Sequence, residues 1–165
     1  MVKIMNKQLI RLLVISFLLT ILVSTACRKE NAPEIVFENS DIVISSPYII
    51  EGAGSISAAY LHINNKSSVS EKLISVNSNL GTAMLHQTII KNGIVRMQHL
   101  TDGIEISPGS HLHLEPGSFH VMLNNLQRNL VSGEKIELIL EFQNIGRIAI
   151  EVPVIKSTER GDHSH

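Results

Sequence analysis

Apolar and polar residues alternate along much of this chain, with the two-residue period of half-buried β-strands. The clearest examples lie towards the C-terminal end, where Ile136, Leu138, Leu140 and Phe142 are followed after a short turn by Ile148, Ile150, Val152 and Val154. Charged or polar side chains stand between many of these positions. The turn at residues 144–146 predicts that the two segments pair as a hairpin.

Shorter segments at 59–63, 72–76, 84–90 and 94–98 also have strand patterns. Asn92-Gly93 separates the last two, and this dipeptide indicates a two-residue hairpin turn. Proline and glycine at 107–109 and 115–117 predict further turns. No segment keeps a 3.6-residue period over three turns, so we expect an all-β fold, either a sandwich or a barrel.

The first 26 residues have the pattern of a signal peptide, with a basic start followed by an apolar run over residues 12–23. That run is too short to span a bilayer, which takes about 20 apolar residues. Small residues then lead into Cys27 in a sequence that resembles a bacterial lipobox. We therefore expect cleavage before Cys27, lipidation of its thiol, and a lipid-anchored protein of the bacterial envelope that faces the periplasm or the cell exterior. The alternative is an ordinary secretory signal that is cleaved nearby.

The expected organisation after the signal peptide is a tether at 27–34, one domain at 35–156 and a polar tail at 157–165. Three of the 14 basic residues lie in the signal peptide, so the mature chain has 11 basic and 15 acidic residues, a formal net charge of −4. This balance offers no basic patch for nucleic acid. A single cysteine excludes an intramolecular disulfide. Because this cysteine is expected to be lipidated, no thiolate is left as the ligand that a blue-copper electron-transfer site needs, which argues against a redox carrier.

Methionine and histidine cluster between residues 84 and 122. The three methionines that follow the signal peptide all lie there, as Met84-x-His86, Met97 and His120-x-Met122. Residues i and i+2 of a strand point to the same face, so each Met/His pair projects side by side. Thioether sulfur selects Cu(I), and imidazole accepts copper as well. The alternative is that these methionines only fill gaps in the core.

The 92–93 turn places His86 and Met97 on the two arms of one hairpin, as diagonal neighbours within reach of long side chains. His120 and Met122 begin a strand after the turn at 115–117. The four side chains can thus converge on a shallow site that is open to a partner. Met84 is an auxiliary candidate and is expected to act as hydrophobic cover.

The spacing His86, ten residues, Met97, then His120-x-Met122 resembles the signature of the periplasmic PCuAC copper chaperones. The resemblance covers about residues 41–154 and includes the flanking segments 58–64, 103–106 and 115–117. It differs by one extra residue between Met97 and His120, which we expect in the turn at 101–102.

The resemblance implies a cupredoxin-like or immunoglobulin-like Greek-key sandwich, Cu(I) held by His86, Met97, His120 and Met122, and a monomer. It also implies delivery of copper to an acceptor protein, such as the CuA centre in subunit II of cytochrome oxidase or another copper chaperone. A neutral Met/His set would pass Cu(I) readily to a thiolate acceptor, because thiolate binds it more strongly.

Other histidines have weaker patterns. His111 and His113 form a same-face pair that could bind Cu(II) or zinc, but a pair falls short of the four ligands of a structural zinc site, so we expect them to face solvent. His163 and His165 in the tail are candidates for an auxiliary Cu(II) role, although a polar tail without structure is the alternative. His62 and His99 are interpreted as surface residues.

No spacing supports a catalytic triad, a phosphate-binding loop or a carboxylate pair near the histidines, so the sequence does not predict an enzyme. Three hypotheses follow: a lipid-anchored Cu(I) chaperone, a copper- or zinc-sequestering resistance lipoprotein, and a metal-free structural lipoprotein. Selective Cu(I) binding at one site favours the first, and several sites of low selectivity favour the second.

Overall fold

A computed structural model describes residues 32–52 and 54–159. The predicted signal peptide, Cys27, His163 and His165 lie outside the described residues. No helix within the described residues is both long enough and apolar enough to cross a membrane.

The described chain consists of eleven β-strands and one short 3₁₀ helix. The strands are β1 (Ile35–Glu38), β2 (Ile42–Ile50), β3 (Ile56–Asn65), β4 (Glu71–Ser78), β5 (Thr82–Lys91), β6 (Ile94–His99), β7 (Ile104–Ile106), β8 (His111–Leu114), β9 (Phe119–Asn124), β10 (Lys135–Phe142) and β11 (Gly146–Ile155), and the 3₁₀ helix is Ser157–Glu159. The described residues contain no α-helix.

The strands follow the order β6-β5-β9-β8-β3-β2-β11-β10-β4-β7, with β1 added to β2 and β9 also paired with β3. Most pairs are antiparallel, whereas β2 and β11 meet in parallel over only two residue pairs. Apolar side chains from strands along the whole order form one buried core, which includes Ile44, Leu61 and Leu138. The all-β fold predicted from the alternating pattern is therefore confirmed.

Both predicted hairpins are present. β10 and β11 pair without a break from Lys135↔Pro153 to Phe142↔Gly146. β5 and β6 pair from Lys91↔Ile94 to His86↔His99, and the turn residues Asn92 and Gly93 have φ of 54° and 75°. Positive φ at both central residues matches the type I′ turn for which Asn-Gly is favoured.

Strand β2 was not predicted from the pattern, nor was β1. The register of β2 against β3 shifts between Ser45 and Tyr48, and Ser46 has a φ of 51°. Buried positions consequently change phase, from Ile42 and Ile44 before the shift to Ile49 after it.

Candidate metal centre

Strands β6, β5 and β9 share an outer face that carries the predicted ligands. The side chains of Leu85 on β5 and Val121 on β9 point into the core. Side chains of adjacent residues in a strand point to opposite faces of the sheet. His86 and His120 therefore share the outer face, where they are directly opposite each other across the strands. Met84 and Met122 form the next pair of the same ladder.

The two histidines form the interior of this site. Their ring centroids lie 5.8 Å apart with an angle of 70° between the planes. Only 8% of His86 and 4% of His120 is exposed, so the two rings are buried more deeply than the shallow site expected from the sequence.

The buried Nδ1 of His86 has no hydrogen-bond partner among the described residues. Leaving a buried polar atom unsatisfied costs about 1–3 kcal/mol, and such atoms are rare in folded proteins. The ring of His86 meets a second imidazole, that of His120, and lies on the same outer face as the three thioethers of Met84, Met97 and Met122. The residues thus fit a soft metal ion, because the neutral imidazole with its proton on Nε2 has a lone pair on Nδ1 to give.

His120 is held by a backbone contact. Its Nδ1 lies 3.2 Å from the carbonyl oxygen of Ser118. A carbonyl oxygen only accepts, so Nδ1 carries the proton and donates it. The lone pair of His120 is then on Nε2, and the ring orientation is fixed as it commonly is for metal-binding histidines.

The pKa of His86 is lowered from its ordinary value. Burial of the ring is the main cause, followed by the nearby imidazoles of His120 and His99, which disfavour a further positive charge. A lowered pKa keeps His86 neutral near pH 7, which is the form that binds metal.

Met97 extends the site to the edge strand β6. It is paired with Thr88, two residues beyond His86 on β5, and is therefore the diagonal neighbour of His86. The β5–β6 ladder is regular, so the extra residue between Met97 and His120 does not move Met97 to the other face. Met97 is 61% exposed, which makes it the open side of the site.

A cavity of about 340 Å³ lies against this face. Its walls include three of the predicted ligands, Met97, His120 and Met122, together with Tyr60 and Thr88. His86 is not among its lining residues and lies next to it, beside His120. Met84 is half-buried opposite Met122 and also does not line the cavity.

Two aromatic neighbours of the site were missed from the sequence. The ring of His99 meets that of His86 edge-on at 5.3 Å, and Tyr60 lies 6.4 Å from His120. His99 remains exposed, as expected. The two-residue turn at Asn92-Gly93 sets the register that pairs His99 with His86, so this contact could have been predicted from the sequence.

His62, which was expected at the surface, is partly exposed but has a neighbour that the sequence did not predict. His62 is half-buried on β3, and its ring lies 4.4 Å from that of His113 on the neighbouring strand β8. His111 and His113 are exposed, as predicted. This contact was not predicted because β3 and β8 are distant in sequence, and only the strand order brings the two residues together.

Comparison with known proteins assigns the family. The model of the LpqE-like family, described as "Putative lipoprotein LpqE-like", matches residues 41–154. "Putative lipoprotein Lxx21020" from Leifsonia xyli subsp. xyli is 32% identical over 114 residues, covering 68% of this chain and 69% of that protein.

Solved structures with the same fold include the copper-bound PCuAC domain from PmoF2, with a TM-score of 0.62 and 21% identity over 73% of this chain and 97% of that one. The solution structure of CuI-DR1885 from Deinococcus radiodurans has a TM-score of 0.50 and 27% identity, covering 67% of this chain and 77% of that one. These likenesses confirm the cupredoxin-like fold that the sequence resemblance implied. The chain belongs to the LpqE-like lipoprotein family and has the fold of the PCuAC domains.

Proposed function

We propose that this protein is a copper chaperone of the bacterial envelope that binds Cu(I) through His86, Met97, His120 and Met122. The observation that carries the proposal is the unsatisfied, buried Nδ1 of His86, directly across the sheet from His120 on the face that holds both methionines. Copper is the cargo, and the protein binds and releases it without catalysing a reaction. CuI-DR1885, a relative in fold, is a copper(I) complex, which supports the same cargo here.

The chemistry of the four side chains favours Cu(I) over harder ions. Two thioethers and two neutral imidazoles add no negative charge, and thioether sulfur is a soft ligand. Because neither thioether has a proton to lose and His86 is held neutral, copper enters without displacing protons from these groups. Zn(II) and Mg(II) bind thioether sulfur more weakly than Cu(I) does, so the four side chains favour the softer ion.

The exposure of the ligands supports transfer. Met97 is 61% exposed at the sheet edge, while His86 and His120 are buried. A partner can therefore approach the metal from the side of Met97 and replace the exposed thioether first. A thiolate acceptor, such as the CuA centre of cytochrome oxidase, binds Cu(I) more strongly than thioether does, so transfer in that direction is favourable.

The location belongs to the same proposal. Relatives named as lipoproteins support a lipid anchor, for which Cys27 is the expected attachment point. An anchored carrier is held at the membrane surface, where integral-membrane acceptors reside. His163 and His165 are retained as candidates for an auxiliary Cu(II) role.

An anaerobic Cu(I) titration of residues 28–165 against a chromophoric chelator tests this function. Omitting Cys27 removes the thiol, and the compact unit Pro33–His165 remains whole. We expect one tightly bound equivalent in the parent and its loss in a His120→Ala/Met122→Ala variant. His111→Ala, which removes an exposed histidine elsewhere, serves as the matched control and should retain the equivalent.

Equal copper binding by the parent and the double variant would contradict the proposed ligands. Transfer is tested separately, by mixing the Cu(I)-loaded protein with a two-cysteine acceptor peptide and separating the two. Copper should move to the peptide, and retention on the protein would argue for sequestration instead.

A further inference from the structure

A second group of metal-ligating side chains lies outside the copper site. His62 of β3, His113 of β8 and Glu115, just after β8, each offer one ligand atom, and these three atoms all lie within 4.8 Å of one another. Within the described residues, no other group of three or more histidine, cysteine, aspartate or glutamate side chains meets this distance criterion.

The sheet itself brings the three together. His62 and His113 are direct partners in the antiparallel β3–β8 ladder, with ring centroids 4.4 Å apart. Glu115 follows His113 by two residues and so continues on the same face. Its backbone is fixed at both ends of the tight turn, because its N–H donates to the carbonyl of Phe119 at 2.7 Å and its carbonyl accepts from Ser118 at 3.1 Å.

The donor set differs in kind from the copper site. Two imidazoles and a carboxylate contain no sulfur, and such nitrogen and oxygen ligands suit borderline divalent ions, Zn(II) and Cu(II), better than Cu(I). Two histidines and a glutamate are a known zinc ligand set in which the fourth position is left to water.

The spacing permits a metal after small side-chain rotations. Zinc bonds of about 2.0–2.2 Å place tetrahedral ligand atoms roughly 3.4 Å apart. His113 and Glu115 are exposed and can turn towards the half-buried His62, which is the anchored member.

This group is next to the copper site but separate from it. Tyr60 precedes His62 by two residues on β3, and its ring lies 6.4 Å from that of His120. The turn from Glu115 to Ser118 borders both the copper site and this group, because the carbonyl oxygen of Ser118 accepts a hydrogen bond from the ring of His120. No residue is shared between the two ligand sets.

We propose that His62, His113 and Glu115 form a second metal site, which takes a borderline divalent ion such as Zn(II) or Cu(II). The site goes beyond the Cu(I) chaperone function and does not depend on it.

Zinc titration against a chromophoric chelator tests the proposal, on residues 28–165 carrying His163→Ala/His165→Ala so that the tail contributes nothing. This protein should bind one equivalent of Zn(II). Removing an outer-shell partner of a zinc ligand alone costs about 10–100-fold in affinity, so His113→Ala and Glu115→Gln should each weaken binding at least about tenfold. His111→Ala, an exposed histidine on the same strand, is the matched control and should leave the affinity within about twofold.

A His120→Ala/Met122→Ala variant separates this proposal from the Cu(I) site. It should keep the zinc equivalent while it loses Cu(I). Cu(II), added in air, should displace the zinc and give an electron paramagnetic resonance signal with nitrogen coupling that disappears in His113→Ala. Absence of zinc binding, equal losses in His111→Ala and His113→Ala, or loss of zinc in the His120/Met122 variant would each overturn the second site.

Discussion

At the scale of single residues, His86 is the most informative member of the proposed copper site. Its buried Nδ1 has no hydrogen-bond partner among the described residues, yet the ring is only 8% exposed. A buried polar group without a partner lowers stability, and in a folded protein such a group calls for an explanation, of which a bound ion is one. We infer that the proposed copper site is preformed, because the imidazole of His86 is held in a buried position without a hydrogen bond to its Nδ1 from the described residues.

Replacing His86 by leucine should separate stability from binding. His86→Leu removes the unsatisfied nitrogen and keeps apolar packing, so we expect the metal-free variant to gain about 1 kcal/mol in free energy of unfolding. Its Cu(I) affinity should fall sharply. Denaturant unfolding and the Cu(I) titration measure the two effects, and a clear loss of stability in the metal-free variant would contradict this interpretation.

The lowered pKa of His86 predicts how stability depends on pH. An unfolded histidine titrates near pH 6.5. Above that pH both states are neutral, and below it the unfolded chain takes up the proton first, so the metal-free protein should lose stability as the pH falls from 7 towards the folded-state pKa.

Unfolding curves of the metal-free protein between pH 7 and pH 5 measure this loss. The pKa of His62 is also lowered, so this residue should account for part of the decrease in stability both in the parent and in the His86→Leu variant. The decrease should be shallower in His86→Leu than in the parent. Parallel curves would show that His86 does not contribute.

Local spacing was sufficient to predict the outer-face positions of His86, Met97, His120 and Met122. Alternation and one two-residue turn place them, and both are local properties of the chain. The contact of His62 with His113 was not predictable in this way, because 50 residues separate the two. Only the pairing of β3 with β8 makes them neighbours.

At the scale of elements, the β5–β6 hairpin positions the exposed ligand. Asn92-Gly93 sets the register, and the register puts Met97 diagonal to His86. β2 shows the opposite case, because its bulge at Ser46 and the following Pro47 break the two-residue period. The alternation of apolar and polar residues therefore predicts the β5–β6 hairpin but does not predict β2.

Straining the hairpin turn should weaken copper binding without altering a ligand. Gly93 has a φ of 75°, and a left-handed residue with a side chain costs about 1–2 kcal/mol, so Gly93→Ala should destabilise the hairpin and displace Met97. Gly109, with a φ of 64° in the turn before β8, gives a matched control. Gly109→Ala should lower stability similarly but keep the Cu(I) affinity, and equal affinity in both variants would contradict the role of the hairpin.

At the scale of the whole molecule, the two proposed ligand sets lie along one sheet. The alternating pattern predicted the all-β fold, and the resemblance predicted the cupredoxin-like class. Strand order was beyond the pattern, because the parallel contact of β2 with β11 and the double pairing of β3 with β8 and β9 connect distant segments. The proposed second site depends on that order.

Copper should stabilise the folded protein as a whole. A ligand that binds only the native state adds about 2.7 kcal/mol to the free energy of unfolding when its free concentration is 100 times Kd. Anaerobic calorimetry with buffered Cu(I) should therefore show a rise in Tm for the parent. The rise should be absent in His120→Ala/Met122→Ala, and a similar rise in both would place the stabilising copper elsewhere.

X-ray absorption at the copper edge of the anaerobic Cu(I)-loaded protein tests the central claim most directly, because it counts the ligand atoms around the metal. We expect about two sulfur and about two imidazole nitrogen ligands, and loss of about one sulfur in Met97→Ala. A spectrum with nitrogen and oxygen only, or one that Met97→Ala leaves unchanged, would contradict the Met/His copper site.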